Sequence, residues 1–462
     1  MSVAARLPAA EFSSRRLTWA TLIGVAIGIA YTLSPVSIWF AIGALLLGRA
    51  LVRDLEGSER RLVLVTFAVA VALRLLVIAV LFLSVDHAQT PFGSLFGDEE
   101  YFKRRSLWLR SMALDVNISA ADRLYAFEEY SHNSYLYVLA FLQVLVGEAP
   151  YGVHLFGLLS YLAAAVWLFR FTRRAFGPAP ATLGFAGIVF LPTLFFWSVS
   201  ALRESLHFLL VVAALVSATA AIDSARWRDR VRHLMVVVIA LLAVKDLRVG
   251  SLTIVSGALV TGLALYLVLR WRGPVVAVAG AVALALAFVP AAEERVMTAL
   301  RGTALSHQGH AWTPGVHYKV LDARFYRERA ANVMSDMTPA EAARYVVRSI
   351  VAAAVAPMPW QATTRQLQVY LAEHTVWLAM LVLLPWSIGA ALRRHPAAAM
   401  IVSAYIALMF VAVALTSGNI GTLVRHRGLI LPFVIALTAV GVCDLAARAA
   451  ARGREKDGQQ WR

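Results

Sequence analysis

The sequence predicts an all-α, polytopic membrane bundle. Of its 462 residues 60% are apolar and only 15% charged, and the mean hydropathy is +0.70. Apolar runs near the roughly 20 residues needed to cross a bilayer recur along the chain. A soluble chain sits near 45–50% apolar and about 25% charged, because charge must cover its outside. These figures exclude a soluble enzyme, a disordered chain and a disulfide-stapled secreted module. The one cysteine, Cys443, has no partner for an intrachain disulfide.

The expected spans fall at about 17–33, 36–52, 61–83, 150–170, 179–199, 204–223, 232–247, 249–270, 274–291, 371–392, 397–416 and 428–448. The first follows Arg15 and Arg16 without a small-residue cleavage site, so it reads as an uncleaved anchor. Two shorter runs, 134–147 and 345–357, are marginal. Direction follows from arginine, since short cytoplasmic loops collect positive charge. Arg49, Arg53, Arg60 and Arg61, then Arg170, Arg173 and Arg174, then Arg226–Arg232, then Arg270 and Arg272, then Arg393 and Arg394 share one side if the two short runs do not cross. That gives about 12 crossings, within a range of 11–14, with both termini inside. Residues 1–448 then form a single membrane domain, with a basic cytoplasmic tail over 449–462 and two elaborated extracytoplasmic loops, about 84–149 and 292–370.

Lys and Arg number 43 against 27 acids, and nearly all the bases are Arg. An Arg- and Ala-rich, Lys-poor chain matches a GC-rich bacterial genome, so the expected location is a bacterial plasma membrane. The excess charge serves orientation and contact with anionic membrane lipids. Nucleic acid is not an expected partner, because neither zinc-ligand spacing nor a glycine–aromatic RNA motif is present.

The first long loop carries the most informative feature, Phe96-Gly97-Asp98-Glu99-Glu100-Tyr101-Phe102. A carboxylate at the membrane surface can take the proton of an acceptor hydroxyl, within reach of a lipid-borne phosphate. The same acids also suit a helix start, Asp as N-cap and Glu in the first turn. Both uses are open from the residues alone.

The Asp98-Glu99 pair, followed by Tyr101, resembles the signature of the polytopic glycosyltransferases that use polyprenyl-phosphate sugars (the GT-C fold class), the protein O-mannosyltransferases and aminoarabinose transferases among them. Further along, Ser131-His132-Asn133-Ser134-Tyr135-Leu136 matches the His of that family's His-Pro-Pro-Leu element and lacks both prolines. Leu191-Pro192-Thr193, and then Trp197-Ser198 through Arg203-Glu204, match its late-span proline and following polar pair. The resemblance covers about residues 60–225 and departs in two extra spans before the acidic loop. It implies a polyprenyl-phosphate sugar donor and a glycan, lipid or protein acceptor. It implies inverting hexosyl or pentosyl transfer without a cofactor, Asp98 as base with Glu99 beside it, and Tyr101 and His132 as substrate contacts.

A donor of that kind leaves a lipid phosphate behind, which calls for arginine, a planar multi-donor fork. The best candidate is Thr416 through Arg427, in which Asn419 follows a glycine and Arg425 and Arg427 flank His426. Arg203 with Glu204, and Lys245 with Arg248, are expected at the same level. The competing readings are headgroup snorkelling for Arg425 and Arg427, and a local ion pair for Arg203–Glu204. Arg74, deep in the third span, is expected to have a structural partner. The second long loop holds His307, His310, His317, Asp322, Arg324 and Arg327. No regular third ligand accompanies His307 and His310, so no metal is expected. Pro357-Met358-Pro359-Trp360 reads as a kinked interfacial anchor, or as a wall for an isoprenoid tail. Two other functions fit such a chain: an oligosaccharide repeat-unit polymerase or ligase, and a non-enzymatic lipid or solute transporter. A transporter should show repeats, and none is evident.

Overall fold

The computed structural model describes residues 14–86, 94–127, 133–148, 151–270, 290–311, 319–321, 337–362 and 364–460. Among these the chain is an all-α bundle. Its helices are α1 (Ser14–Leu33), α2 (Pro35–Val52), α3 (Gly57–Leu83), α4 (Gly97–Ala113), α5 (Ala120–Ala126), α6 (Ser134–Val146), α7 (Gly152–Phe176), α8 (Pro178–Phe190) and α9 (Pro192–Val199). Then follow α10 (Glu204–Asp223), α11 (Trp227–Lys245), α12 (Ser251–Arg270), α13 (Pro290–Ala311), α14 (Pro339–Val355), α15 (Arg365–Arg394), α16 (Pro396–Thr416), α17 (Ile420–Arg427) and α18 (Leu431–Gln460).

Many starts are written locally. Ser34, Asn133, Thr338, Thr364 and Asn419 each accept a first-turn backbone N–H through their side chains. Proline opens α2, α8, α9, α14 and α16, where its missing N–H costs nothing.

Eight helices among the described residues are long and apolar enough to cross a membrane: α2, α3, α7, α10, α12, α15, α16 and α18. The pair α8 and α9 makes a ninth crossing if it is one span, bent by 61°. The protein is a multi-pass membrane protein. Of the about twelve expected spans, α11 is less apolar than these eight, because Arg228, Asp229, Arg230 and Arg232 occupy its first turns. The first span is a helix whose described apolar stretch is Thr18–Gly28, and the run 274–291 lies outside the described residues. Helix α6 has 13 residues and reaches only about 20 Å at 1.5 Å per residue, short of a bilayer core near 30 Å. Helix α18 continues through the expected tail to Gln460.

The centre of the bundle is α7, α8, α10, α16 and the first half of α18. There Tyr161, Phe169, Phe185, Val212, Tyr405, Phe433 and Leu437 are buried. Outward residues such as Leu45, Leu76, Val260 and Val382 stay exposed, as a lipid-facing surface requires. Gly262 brings α12 close to α16, since a Cβ there would stand 2.6 Å from the Ile401 Cα.

The two ends of the bundle differ in chemistry. At one, Arg170 pairs with Asp54 at 2.7 Å, Arg173 with Glu59 at 3.0 Å, and His395 with Asp223 at 3.1 Å. Arg394 also donates to the Phe176 carbonyl there. This end gathers the arginine-rich short loops. The other end gathers α4 to α6, the turns at 200–204 and 245–250, α13, α14 and α17, and both long loops contribute to it.

The bend between α8 and α9 is fully accounted for. Pro192 has no N–H for the Ile188 carbonyl, which instead accepts from the Tyr161 hydroxyl at 2.6 Å. The Val189 carbonyl accepts from Arg74 Nη2 at 2.8 Å, and the Thr193 N–H turns to Glu373 Oε2 at 2.9 Å. Arg74 Nε also donates to Ser198 Oγ at 2.6 Å, and its guanidinium lies 4.6 Å from the Phe195 ring centroid. Arg74 therefore has the structural partners expected of it.

Candidate functional site

Helix α4 begins with Phe96 as N-cap and Glu99 at the third position. Glu99 Oε1 accepts the N–H groups of Leu95 at 3.0 Å and Phe96 at 2.9 Å, and its Oε2 accepts that of Ala201 at 2.9 Å. Lys103 Nζ lies 3.8 Å away and His154 Nδ1 3.9 Å away. Burial raises the Glu99 carboxyl above its usual range, against Lys103 and these N–H groups, and lowers Lys103 to about 8. Glu99 is thus the cap of α4 and its tether to the turn before α10. Its position next to Asp98 in sequence does not put it at the surface.

Asp98 turns the other way. Consecutive helical residues diverge by about 100°, so a buried Glu99 leaves Asp98 outward. Its side chain is 56% exposed, and Oδ2 accepts from Arg425 Nη1 at 2.5 Å. The capping role open to Asp98 falls to Glu99, and the Asp98 carboxylate stays exposed.

The turn at 200–204 is clamped by α4 and α6. Tyr135 donates its hydroxyl to the Ala201 carbonyl at 3.0 Å, and the Phe102 ring packs on Tyr135 at 5.7 Å. Arg203 lies over Phe102 at 5.8 Å and donates to the Leu247 carbonyl at 3.2 Å. That bond draws the 245–250 turn in and brings Arg248 Nη1 to 3.6 Å from Glu204 Oε1. The competing reading of a local Arg203–Glu204 pair gives way to a pair across two turns, Arg248 with Glu204. Ser134 N–H donates to the Asp246 carbonyl at 3.0 Å, while Lys245 stays exposed at the rim.

Arg425 completes the cluster from α17. Burial works to lower its pKa, but Glu204 and Asp98 together raise it above the ordinary value. Arg248 moves the other way, to about 10: burial, Arg203 and Arg425 outweigh Glu204. His426 sits deeper, with Nδ1 3.2 Å from Ser417 Oγ. Burial first, then Arg248, Arg425, His310 and Arg203, push it well below the usual imidazole value. Burial and the neighbouring arginines thus act in the same direction on His426.

The other expected contacts separate. Arg427 is 2% exposed and faces α14, donating to the carbonyls of Ala353 at 2.5 Å and of Ala356, with its guanidinium 5.2 Å from the Trp377 ring centroid. It secures the end of α14 and does not join Arg425. The Asn419 amide is committed: Oδ1 caps α17 through Thr422 N–H at 2.7 Å, and Nδ2 donates to the His310 carbonyl at 2.8 Å. Tyr101 meets Arg105 Nη1 at 2.5 Å, and the Arg105 guanidinium also lies 4.8 Å from its ring centroid. His132, His317, Asp322, Arg324 and Arg327 lie outside the described residues.

The second long loop closes on the same place. His310 Nδ1 is 2.7 Å from the Thr416 carbonyl, and Val320 N–H donates to the Gly418 carbonyl at 3.0 Å. Gly418 is required there, because a Cβ would run into the His307 carbonyl. Trp360, on the turn Pro359–Gln361, is exposed in the manner of an interfacial anchor. Sequence reasoning missed Lys103 and His154 behind Glu99. An i,i+4 Glu–Lys pair is generic, and His154 stands alone in an apolar run. Comparison of the chain with protein-family models, with curated proteins and with solved structures finds no match.

Proposed function

We propose that the protein is a membrane glycosyltransferase that moves a sugar from a polyprenyl-phosphate carrier to an acceptor hydroxyl on a glycan, lipid or protein. One observation carries the reading: an exposed carboxylate, Asp98, is hydrogen-bonded to one member of a three-arginine cluster at the end of a membrane bundle. Acid–base and anion-binding groups are thereby adjacent at one end of the membrane-spanning helices. The acceptor oxygen attacks the anomeric carbon, and the carbon–oxygen bond to phosphate breaks. Its electron pair leaves on the lipid phosphate, and the acceptor proton passes to Asp98. Arg425, Arg248 and Arg203 offer the forks that take up the departing charge. Attack opposite the leaving phosphate inverts the anomeric centre.

The phosphate half is tested by binding. Purified protein in nanodiscs should bind dodecyl phosphate, and Arg425→Ala or Arg248→Ala should each weaken binding about tenfold, the scale of one charge-assisted contact. Arg425→Lys should also weaken it, since a point charge does not replace a fork. Parental affinity in both alanine variants would refute the site.

In this reading the site end faces outward from a bacterial plasma membrane, opposite the arginine-rich end. Ser94 and Ser306 are both exposed. Cysteines placed there in a Cys443→Ser background should react with an impermeant thiol reagent on whole cells. Labelling only after membrane disruption would reverse the orientation.

A repeat-unit polymerase or ligase draws on the same arginines with a diphosphate-linked donor. It predicts that Asp98→Asn leaves transfer intact.

A further inference from the structure

Glu204 is the other carboxylate of the cluster, and it is held oddly. It opens α10 and is 3% exposed. Its Oε1 has only the ion pair with Arg248 at 3.6 Å, beyond hydrogen-bond distance, and its buried Oε2 has no hydrogen-bond partner among the described residues. Glu99, equally buried one helix away, takes three backbone N–H groups at 2.9–3.0 Å. A buried carboxylate left without hydrogen bonds requires a reason, since it forfeits the compensation burial demands. Stability of the fold does not supply one.

Charge does. Arg248 pairs with Glu204 and Arg425 with Asp98, while Arg203, docked on the Leu247 carbonyl of the same turn as Arg248, has no carboxylate partner of its own among the described residues, which leaves one positive charge. We propose that Glu204 is a positioning residue, the resident counter-anion that keeps the arginine cluster neutral both before and after transfer, so that the product phosphate can leave.

The inference rests on the glycosyltransferase reading. The donor phosphodiester carries one negative charge and neutralises the site on arrival. During transfer the lipid phosphate becomes a monoester with a charge near −2 at neutral pH. The acceptor proton has meanwhile neutralised Asp98, so the sum is again close to zero. Without the Glu204 charge both states would hold an extra positive charge, and product would be retained. Because the Glu204 carboxylate accepts no hydrogen bond among the described residues, it loses none there when phosphate oxygens take the guanidinium forks, and it remains as a counter-anion.

The test compares the parental protein with Glu204→Gln and with Glu204→Gln/Arg248→Gln, in nanodiscs, with dodecyl phosphate as probe. Glu204→Gln should bind it about tenfold tighter, and in transfer assays its kcat and KM should fall together, as release becomes limiting. The double variant restores the charge balance and should return affinity to the parental value. A purely structural role predicts the opposite, weaker binding in Glu204→Gln without recovery in the double variant, and that result overturns the proposal, as does unchanged affinity. Should Glu204→Gln fail to fold, the double variant carries the test: parental affinity supports the proposal, and a tenfold loss overturns it. If Arg425→Ala weakens binding while Glu204→Gln leaves it unchanged, the phosphate site stands and only the role of Glu204 falls. If the parental protein does not bind dodecyl phosphate, both fall.

Discussion

Asp98→Asn should lower transfer by about 10²–10⁴-fold, the contribution of a positioned general base, while expression and phosphate binding survive. The geometry makes this substitution unusually clean. Asparagine is nearly isosteric, and the start of α4 does not depend on Asp98, because Glu99 accepts the N–H groups of Leu95 and Phe96. The lost partner is Arg425 at 2.5 Å, in a pair open to solvent on the Asp98 side, and ion pairs near the surface are worth about 0–1 kcal/mol. Folding should therefore be nearly untouched. Phosphate binding should hold or tighten slightly, because a competing anion has been removed from Arg425. Glu99→Gln is the contrasting control. It weakens the tie to Ala201 N–H and leaves Lys103 buried beside a neutral group, so its loss should appear first in thermal stability. The decisive measurement is single-turnover transfer with a purified polyprenyl-phosphate sugar. Parental rates in Asp98→Asn would remove the base from the mechanism and favour the polymerase or ligase reading.

The helical class was legible because bilayer thickness imposes the length of each apolar run, whatever the side chains do inside the bundle. What the runs did not reveal was how neighbouring charges divide. Asp98 and Glu99 are adjacent in sequence, yet one is exposed and the other sealed, a consequence of helical rotation plus a partner, Ala201, 102 residues away. Arg425 and Arg427 read as a pair because they flank one histidine. Two residues apart on a helix they diverge by about 200°, so one meets Asp98 and the other the end of α14. That divergence was within reach: Asn419 with Thr422 has N-cap spacing, and a helix recognised there would have separated the two arginines. The Arg248–Glu204 pair was not within reach. It depends on how Arg203 docks the 245–250 turn, a tertiary event with no local signature.

Arg74→Met should be among the most destabilising substitutions outside the site, by about 3–5 kcal/mol, the range for stranding buried polar partners. A central arginine costs about 2.5–3.5 kcal/mol on insertion scales, so on that ground alone methionine should stabilise the protein. Packing reverses the sign. The Pro192 break frees the Val189 carbonyl inside the bundle, and Arg74 Nη2 donates to it at 2.8 Å. The same guanidinium holds Ser198 Oγ at 2.6 Å and the Ala70 carbonyl at 3.1 Å, and stacks on Phe195. Each buried polar group left unpaired costs about 1–3 kcal/mol, and two of these acceptors lose their donor together. Release of Ser198 should also loosen α9 and the turn that carries Arg203 and Glu204, so phosphate affinity should fall with stability. Thermal unfolding in detergent checks the sign directly, and a cycle with Ser198→Ala isolates the coupling, expected at 0.5–3 kcal/mol for groups in contact. A midpoint above the parental value in Arg74→Met would mean that the bend holds without its arginine and that Tyr161 and Glu373 suffice.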